Sequence, residues 1–136
     1  DGQEVDIRSA ADDVSADVRV IRNPDDLVDR MFQADFAVST ASSTTYELLG
    51  LGTPIVSIPV ADNQEPIAAG LQNRDIATVL RGGAKSDEIR EAIRAYVNRP
   101  ELRCNRRERG RDLVDGRGAE RIAGLMTDIA EVQSDI

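Results

Sequence analysis

The sequence contains no histidine, only one cysteine and only one lysine among its 136 residues. Without histidine, this chain cannot form a Ser-His or Cys-His nucleophile pair, a histidine general base or a histidine metal site. Cys104 has no second cysteine in the chain with which to form a disulfide. Aromatic residues make up only 3% of the chain, which fits a core of small residues in an α/β fold better than an all-β sandwich.

Positive charge is also scarce. The chain has 25 acidic and 17 basic residues and a net charge of −8, which argues against nucleic acid and anionic membrane surfaces as general partners. No apolar run approaches the roughly 20 residues of a membrane-spanning helix, and the first residues lack a signal-peptide pattern, so we expect no membrane span and a cytoplasmic protein. Sixteen acids are Asp and sixteen bases are Arg. The Asp excess predicts a halophilic source, whereas a GC-rich genome would explain the arginines alone.

Short apolar segments alternate with helical patterns from residue 18 onward. The clearest strand is PIVSIP at residues 54–59, which is apolar on both faces as in a covered parallel sheet. The clearest helix is capped by Ser86 and ended by Pro100, and its apolar residues repeat at helical spacing. We predict strands at residues 18–21, 35–39, 54–59 and 76–80, and helices at 23–33, 44–51, 64–73, 86–99, 101–114 and 119–133. This order predicts an α/β, Rossmann-like open parallel sheet flanked by helices, with ligands at the carboxyl ends of its strands.

The first 17 residues do not fit this pattern. Residues 4–8 form the one strand candidate there, and the polar stretch after them is too short for a crossover helix. We therefore expect the first βα unit to be missing or degenerate, with a poorly defined segment at residues 1–17 and a Rossmann-like domain at residues 18–136. An apolar flank left uncovered in this way would favour self-association into a homo-oligomer.

Six hydroxyl residues lie close together where the strand at residues 35–39 gives way to a helix. They are Ser39, Thr40, Ser42, Ser43, Thr44 and Thr45. A helix N-terminus offers unpaired N–H groups and the positive end of the helix dipole, so small hydroxyl residues there suit a phosphate group. Residues 44–47 (TTYE) also fit a capping box made by Thr44 and Glu47, which would explain Glu47 without any ligand. A capping box does not require the other hydroxyl residues.

A second cluster consists of six arginines between residues 99 and 111, interleaved with Glu101, Glu108 and Asp112. This mixture predicts a solvated helix with ion pairs between its own residues rather than an anion site. Cys104, in the same segment, is predicted to be a small packed residue.

Residues 34–64, ADFAVSTASSTTYELLGLGTPIVSIPVADNQ, resemble the C-terminal half-domain of GT-B fold glycosyltransferases. The nearest relatives suggested by this motif are the flagellin-sugar UDP-sugar hydrolases and the spore-coat polysaccharide biosynthesis proteins, and the peptidoglycan N-acetylglucosaminyltransferase is more distant. Residues 113–123, LVDGRGAERIA, are similar to the tail of the hydrolase and spore-coat group. The resemblance extends from about residue 18 to the last residue, and neither motif specifies the substrate.

The resemblance implies a UDP-sugar site that faces a cleft between two Rossmann-like halves. Ser42, Ser43 and Thr44 would donate hydrogen bonds to the diphosphate, and Glu47 would accept from the ribose hydroxyls. Asn63 and Gln64 would contact the sugar or the phosphates, although residues 61–66 (ADNQEP) also fit an N-capping turn with Asp62 as the cap. No metal site and no cofactor is implied.

The resemblance also implies a partner. The hydrolases are thought to use a histidine of their N-terminal half in catalysis, and this chain has neither a histidine nor such a half. The nucleotide-sugar half of a glycosyltransferase or UDP-sugar hydrolase would bind its ligand but need an N-terminal Rossmann-like half or subunit for turnover. The alternative from a different class is a non-catalytic Rossmann-like interaction or regulatory module.

Overall fold

A computed structural model describes residue 9 and residues 15–134 of the chain. Three parallel strands form one sheet in the order β1-β2-β3. The elements in chain order are α1 (Leu27–Gln33), β1 (Ala37–Ser39), α2 (Thr44–Leu51), β2 (Ile55–Ser57), a 3₁₀ helix (Asp62–Gln64), α3 (Glu65–Asn73), β3 (Thr78–Val79), α4 (Ser86–Asn98), α5 (Pro100–Leu113) and α6 (Gly118–Ser134). The predicted fold class, an open parallel α/β sheet flanked by helices, is confirmed.

The register of the sheet brings the ends of β1 and β2 side by side. Ser39 at the end of β1 pairs with Ser57 at the end of β2, and Ser57 pairs in turn with Val79 of β3. Because all three strands are parallel, the segments that follow them leave from the same edge. The turn before α2 and the 3₁₀ helix before α3 both begin at this carboxyl edge of the sheet.

The core consists of one apolar cluster on each face of the sheet. Ile55 packs with Leu48 and Leu49 of α2 and with Leu71 of α3. The next residue, Val56, packs with Ala92 and Tyr96 of α4, because successive side chains of a strand point to opposite faces. The central strand β2 is therefore buried on both faces, as its continuous apolar sequence predicts.

Gly110 lets α5 approach α2 closely. A Cβ atom built on Gly110 would lie 3.1 Å from the Leu49 Cδ2 atom and 3.4 Å from the Leu49 carbonyl oxygen. A side chain at this position would therefore require Leu49 to shift by a few tenths of an ångström. Helix α5 is thereby held against the helix that begins at the hydroxyl residues.

The predicted strand at residues 18–21 is wrong. Residues 17–22 have no regular secondary structure, and Val18 and Ile21 are about half exposed. A strand persists where a neighbouring strand pairs with its N–H and C=O groups, and this segment makes no backbone hydrogen bond to β1. In the described sheet β1 is consequently an edge strand. The predicted strand candidate at residues 4–8 lies outside the described residues.

The predicted pairing of the α5 arginines with acids of their own helix is also wrong. Among the described residues, no ion pair involves Glu101, Glu108 or Asp112. Arg106 and Arg109 instead contact Asp75, at 2.6 Å and 2.7 Å. Asp75 precedes β3 and lies next to α5. The two arginine side chains therefore reach across the fold to contact it. Cys104 is exposed rather than packed.

The ends of several predicted helices shift by a residue. Lys85, not Ser86, is the N-cap of α4, and its backbone N–H donates to the Glu88 carboxylate at 2.9 Å. Helix α2 matches the predicted bounds, and Gly52 after it has a φ of +76°, the left-handed conformation that glycine adopts at little cost. Across the described part of the chain, no helix is long and apolar enough to cross a membrane.

Candidate functional site

The hydroxyl residues at the start of α2 form a compact turn held by their own hydrogen bonds. The Ser39 hydroxyl donates to the Thr40 carbonyl oxygen at 3.3 Å, and the buried Thr45 hydroxyl donates to the same oxygen at 3.2 Å. The Thr40 hydroxyl donates to the Ser42 Oγ atom at 3.2 Å. Three of the six hydroxyl groups therefore stabilise the turn itself, which is a structural role for Ser39, Thr40 and Thr45.

The Ser42 hydroxyl still has a proton to donate. Its oxygen accepts from Thr40, and no acceptor for its own proton lies among the described residues. A hydroxyl that accepts a hydrogen bond becomes a better donor, because hydrogen bonds in a chain polarise one another. Ser42 is half-buried, and its oxygen is held by the hydrogen bond from Thr40.

Two adjacent backbone amides at this turn have no internal acceptor. The N–H groups of Ser42, Thr45 and Tyr46 donate to the carbonyl oxygens of Thr40, Ser42 and Ser43, at distances from 2.9 to 3.0 Å. The N–H groups of Ser43 and Thr44, between them, donate to no acceptor in residues 15–134. These are the unsatisfied donors of a helix N-terminus, where the helix dipole favours negative charge.

The predicted capping box is absent. The N-cap of α2 is Ser43, which has helical φ and ψ angles, and no side chain forms a cap hydrogen bond there. Thr44 is therefore the first residue of the helix rather than its cap. Glu47 is exposed, and its carboxylate accepts no hydrogen bond from the described residues. The explanation of Glu47 as part of a capping box is therefore wrong.

Gln64 and Asn63 lie in the 3₁₀ helix after β2 and differ in their contacts. The Gln64 Oε1 atom accepts the Val60 backbone N–H at 2.9 Å, so Gln64 closes its own turn. Asn63 is exposed, and its side chain has no hydrogen-bond partner within residues 15–134. The predicted cap is wrong here too, because Ala61 rather than Asp62 is the N-cap and no side chain caps the turn.

Ser57 is a polar residue of this edge that the sequence interpretation missed. It is fully buried, and its Oγ atom has no hydrogen-bond partner among the described residues. Ser57 shares the face of β2 with Ile55, two residues before it, and therefore lies on the side of α2 and α3. The signal in the sequence was one hydroxyl residue within the otherwise apolar segment PIVSIP at residues 54–59.

The six predicted site residues form two groups at one edge of the sheet. Ser42, Ser43, Thr44 and Glu47 follow β1, whereas Asn63 and Gln64 follow the neighbouring strand β2. No basic residue occurs between residues 39 and 64, so the donors of the segments that follow β1 and β2 are neutral. Such a set of amides and hydroxyls can hold an anion by hydrogen bonds without an ion pair.

Two cavities help to define what surrounds this edge. A cavity of about 290 Å³ lies beside the 3₁₀ helix, and it is lined by residues that follow β2 and β3, including Asp62, Glu65, Gly82 and Gly83. A second cavity, of about 610 Å³, is lined by Tyr46 of α2, by residues of α3 such as Ile67, and by residues around the connection of α5 and α6 such as Leu113 and Arg121. Its lining does not include the hydroxyl turn. The free donors and the larger of these two cavities therefore lie at different places.

In the described part of the chain, no three Cys, Asp or Glu residues are grouped so that they could hold a metal ion.

The comparisons with known proteins add one relative. No protein-family model matches the chain, and no solved structure matches it. The chain is similar to the spore coat polysaccharide biosynthesis protein SpsG of Bacillus subtilis (strain 168), with 28% identity over 116 residues. The match covers 83% of this chain and 34% of SpsG, so the chain spans about a third of the length of that protein.

Proposed function

We propose that this chain binds a nucleotide sugar, a UDP-sugar, as one half of a glycosyltransferase-like protein of polysaccharide biosynthesis. The observation that carries the proposal is the pair of adjacent free amides, those of Ser43 and Thr44, at the start of α2. Similarity to SpsG, a spore coat polysaccharide biosynthesis protein, supports the biosynthetic context. The position at the carboxyl edge of a parallel sheet supports ligand binding as such.

The diphosphate would be held by neutral donors. The Ser43 and Thr44 amides and the Ser42 hydroxyl present N–H and O–H groups from consecutive residues, and the helix dipole adds favourable potential. The hydroxyls of Ser43 and Thr44 have no acceptor within residues 15–134 and can add further donors. Each hydrogen bond to a charged oxygen contributes roughly 1.5–3 kcal/mol.

Glu47 would accept from the ribose hydroxyls. It lies one helical turn after Thr44, on the same side of α2, because residues three apart on a helix are neighbours. Its carboxylate is exposed and accepts nothing from the described chain, so it can accept two hydroxyl protons without breaking an existing bond.

Asn63 and Gln64 would contact the sugar or the phosphates from the neighbouring strand. The Asn63 amide is unoccupied by described residues, whereas Gln64 uses its Oε1 atom for the Val60 amide and has its NH₂ group left to donate. Gln64 would thus act as a donor held in place by its own turn.

Turnover would require groups from elsewhere. Displacement of a nucleoside diphosphate from an anomeric carbon needs a base for the acceptor and donors for the leaving phosphate. The α2 turn supplies the donors. We propose that an N-terminal Rossmann-like half or subunit supplies the base, and that this chain alone binds without catalysing transfer or hydrolysis.

Titration calorimetry with UDP and a UDP-N-acetylhexosamine tests this function. We expect binding by the unmodified chain and a loss of about 10- to 100-fold in affinity in Glu47→Ala, because a hydrogen bond to a charged group is removed. Glu91→Ala is the matched control, since Glu91 is an exposed carboxylate of α4. An absence of binding at millimolar ligand would contradict the proposal and favour the alternative, an interaction module.

A further inference from the structure

Helix α6 carries an exposed apolar stripe. Ile122, Leu125, Met126 and Ile129 follow one another at helical spacing, and they are 60%, 61%, 67% and 61% exposed. Residues at positions i, i+3, i+4 and i+7 lie on one face of a helix. Four large apolar side chains therefore form a continuous strip in contact with solvent.

The rest of the described chain does not cover this stripe. None of the described elements packs extensively against α6. Its attachment is at its first turns, where Asp115 accepts from the Arg117 backbone N–H at 3.0 Å and from Arg121. Most helical stability in proteins comes from the packing of an amphipathic face, so a partner that covers the stripe would stabilise this helix of 17 residues.

The charged side chains beside the stripe indicate which kind of partner can cover it. Arg121 and Asp128 are seven residues apart, two helical turns, and so lie on the same flank of the stripe. Asp128 has no ion pair within the described residues, and Arg121 is 62% exposed although it contacts Asp115. The midpoint between these two opposite charges is close to residue 125, which is also close to the middle of the stripe.

We propose that the stripe binds the α6 helix of a second copy of this chain, with the two helices antiparallel. In this arrangement Ile122 lies opposite Ile129, and Leu125 lies opposite Met126. The same two-fold axis brings Arg121 of each copy towards Asp128 of the other. This follows because the midpoint between Arg121 and Asp128 nearly coincides with the middle of the apolar stripe. Apolar residues at this spacing with opposite charges at the edge are the pattern of a short coiled coil.

The self-complementary charges favour a second copy over a membrane surface. An anionic bilayer attracts basic residues at the edge of an apolar stripe. Here the polar part of the helix includes Glu120 and Asp128 as well as Arg121, so it offers no net positive charge to such a surface.

Sedimentation equilibrium over a concentration series tests the association. We expect the mass to rise from 14.8 kDa towards twice that value as concentration increases. Leu125→Arg should remain at the monomer mass with an unchanged circular dichroism spectrum, because Leu125 contributes nothing to the described core. Thr127→Arg, on the polar side of the same helix, should associate like the unmodified chain. A monomer mass of the unmodified chain at every concentration would overturn the proposal. An equal loss of association in Leu125→Arg and Thr127→Arg would also overturn it.

Cysteine cross-linking in a Cys104→Ser background tests the antiparallel arrangement. Leu125→Cys, near the two-fold axis, should form a disulfide with itself under mild oxidation, and Glu120→Cys on the polar side should not. A mixture of Ile122→Cys and Ile129→Cys chains should cross-link, whereas Ile122→Cys alone should not. In the antiparallel dimer, position 122 of one chain and position 122 of the other would lie about 10 Å apart along the helix axis, at a rise of about 1.5 Å per residue. This distance is too great for a disulfide. Efficient self-linking of Ile122→Cys would overturn the arrangement.

Discussion

Tyr96 shows how one side chain joins two strands to a helix. Its ring is fully buried, and its hydroxyl donates to the Ile55 carbonyl oxygen of β2 at 2.8 Å. The Tyr96 hydroxyl oxygen also accepts the Thr78 N–H of β3 at 3.2 Å. The ring packs against Phe36 with 5.3 Å between centroids. The helical spacing of α4 predicts that Tyr96 faces the core, but nothing in the sequence indicates which backbone groups its hydroxyl satisfies.

Tyr96→Phe should destabilise the fold by about 1–3 kcal/mol. The substitution keeps the ring and removes two hydrogen bonds, to the Ile55 carbonyl oxygen and from the Thr78 N–H, each of which contributes about 0.5–1.5 kcal/mol. Urea unfolding followed by circular dichroism measures the loss. Tyr46→Phe is the control because Tyr46 is about half exposed and its hydroxyl has no partner among the described residues. Equal stability of Tyr96→Phe and the unmodified chain would contradict this role.

Asp115 is the residue whose ionisation matters most for the start of α6. The hydrogen bonds from the Arg121 side chain, and then from the Arg117 backbone N–H, hold the pKa of Asp115 below its ordinary value. A carboxylate with a lowered pKa in the folded state stabilises that state above its unfolded pKa, and this contribution is lost as the pH falls through the folded pKa.

We therefore expect the Asp115 carboxyl to titrate at a lower pH in the folded chain than in the unfolded chain, with the first turn of α6 loosening in acid below that point. Carbon-detected NMR of the Asp side chains gives the titration directly. In Arg121→Gln the pKa of Asp115 should move back up towards its ordinary value. A titration of Asp115 that is the same in both chains would show that the pair does not form in solution.

At the level of the element, the bounds of helix α2 could be predicted from the sequence, whereas the conformation and hydrogen bonds of its first residues could not. The run from Thr44 to Leu51 and the glycine after it give the bounds correctly, because helix length and its left-handed end depend on local sequence. The capping box failed because Ser43 is itself helical, a backbone choice that the TTYE pattern does not reveal. Whether a phosphate occupies the free amides stays a prediction.

Local sequence patterns could not predict which segments pair as strands or which distant residues the α5 arginines contact. Residues 18–21 have strand-like composition but pair with no strand of the described sheet, and the pairing partner is a property of the whole sheet. The arginines of α5 have acids nearby in sequence, yet Arg111 donates to the Leu51 carbonyl oxygen at 3.1 Å and Arg109 contacts Asp75. These partners are 60 and 34 residues away in sequence, so no spacing rule could find them.

On the scale of the whole molecule, the candidate ligand site and the candidate interface are separate. The free amides lie after β1 at the carboxyl edge of the sheet, whereas α6 extends from the end of α5 and has little contact with the sheet. Ligand binding and self-association can therefore be tested independently, since a substitution in the α6 stripe leaves the α2 turn unchanged.

The surface charge of the molecule agrees with a ligand site made of neutral donors. With a net charge of −8, long-range attraction does not gather a diphosphate from solution, so affinity depends on short-range hydrogen bonds at the turn. This dependence makes the backbone amides the decisive groups, and it allows their contribution to be separated from that of the hydroxyls.

Calorimetric titration of UDP into Ser43→Pro and Ser43→Ala chains tests the central claim most directly. Ser43 has a φ of −56°, which proline adopts, so Ser43→Pro removes one free N–H together with the hydroxyl, while Ser43→Ala removes the hydroxyl alone. We predict that Ser43→Ala binds UDP within about tenfold of the unmodified chain and that Ser43→Pro, still folded by circular dichroism, loses at least a further tenfold. Equal UDP affinity in the folded proline and alanine variants would contradict the claim that the amides at the start of α2 hold the diphosphate.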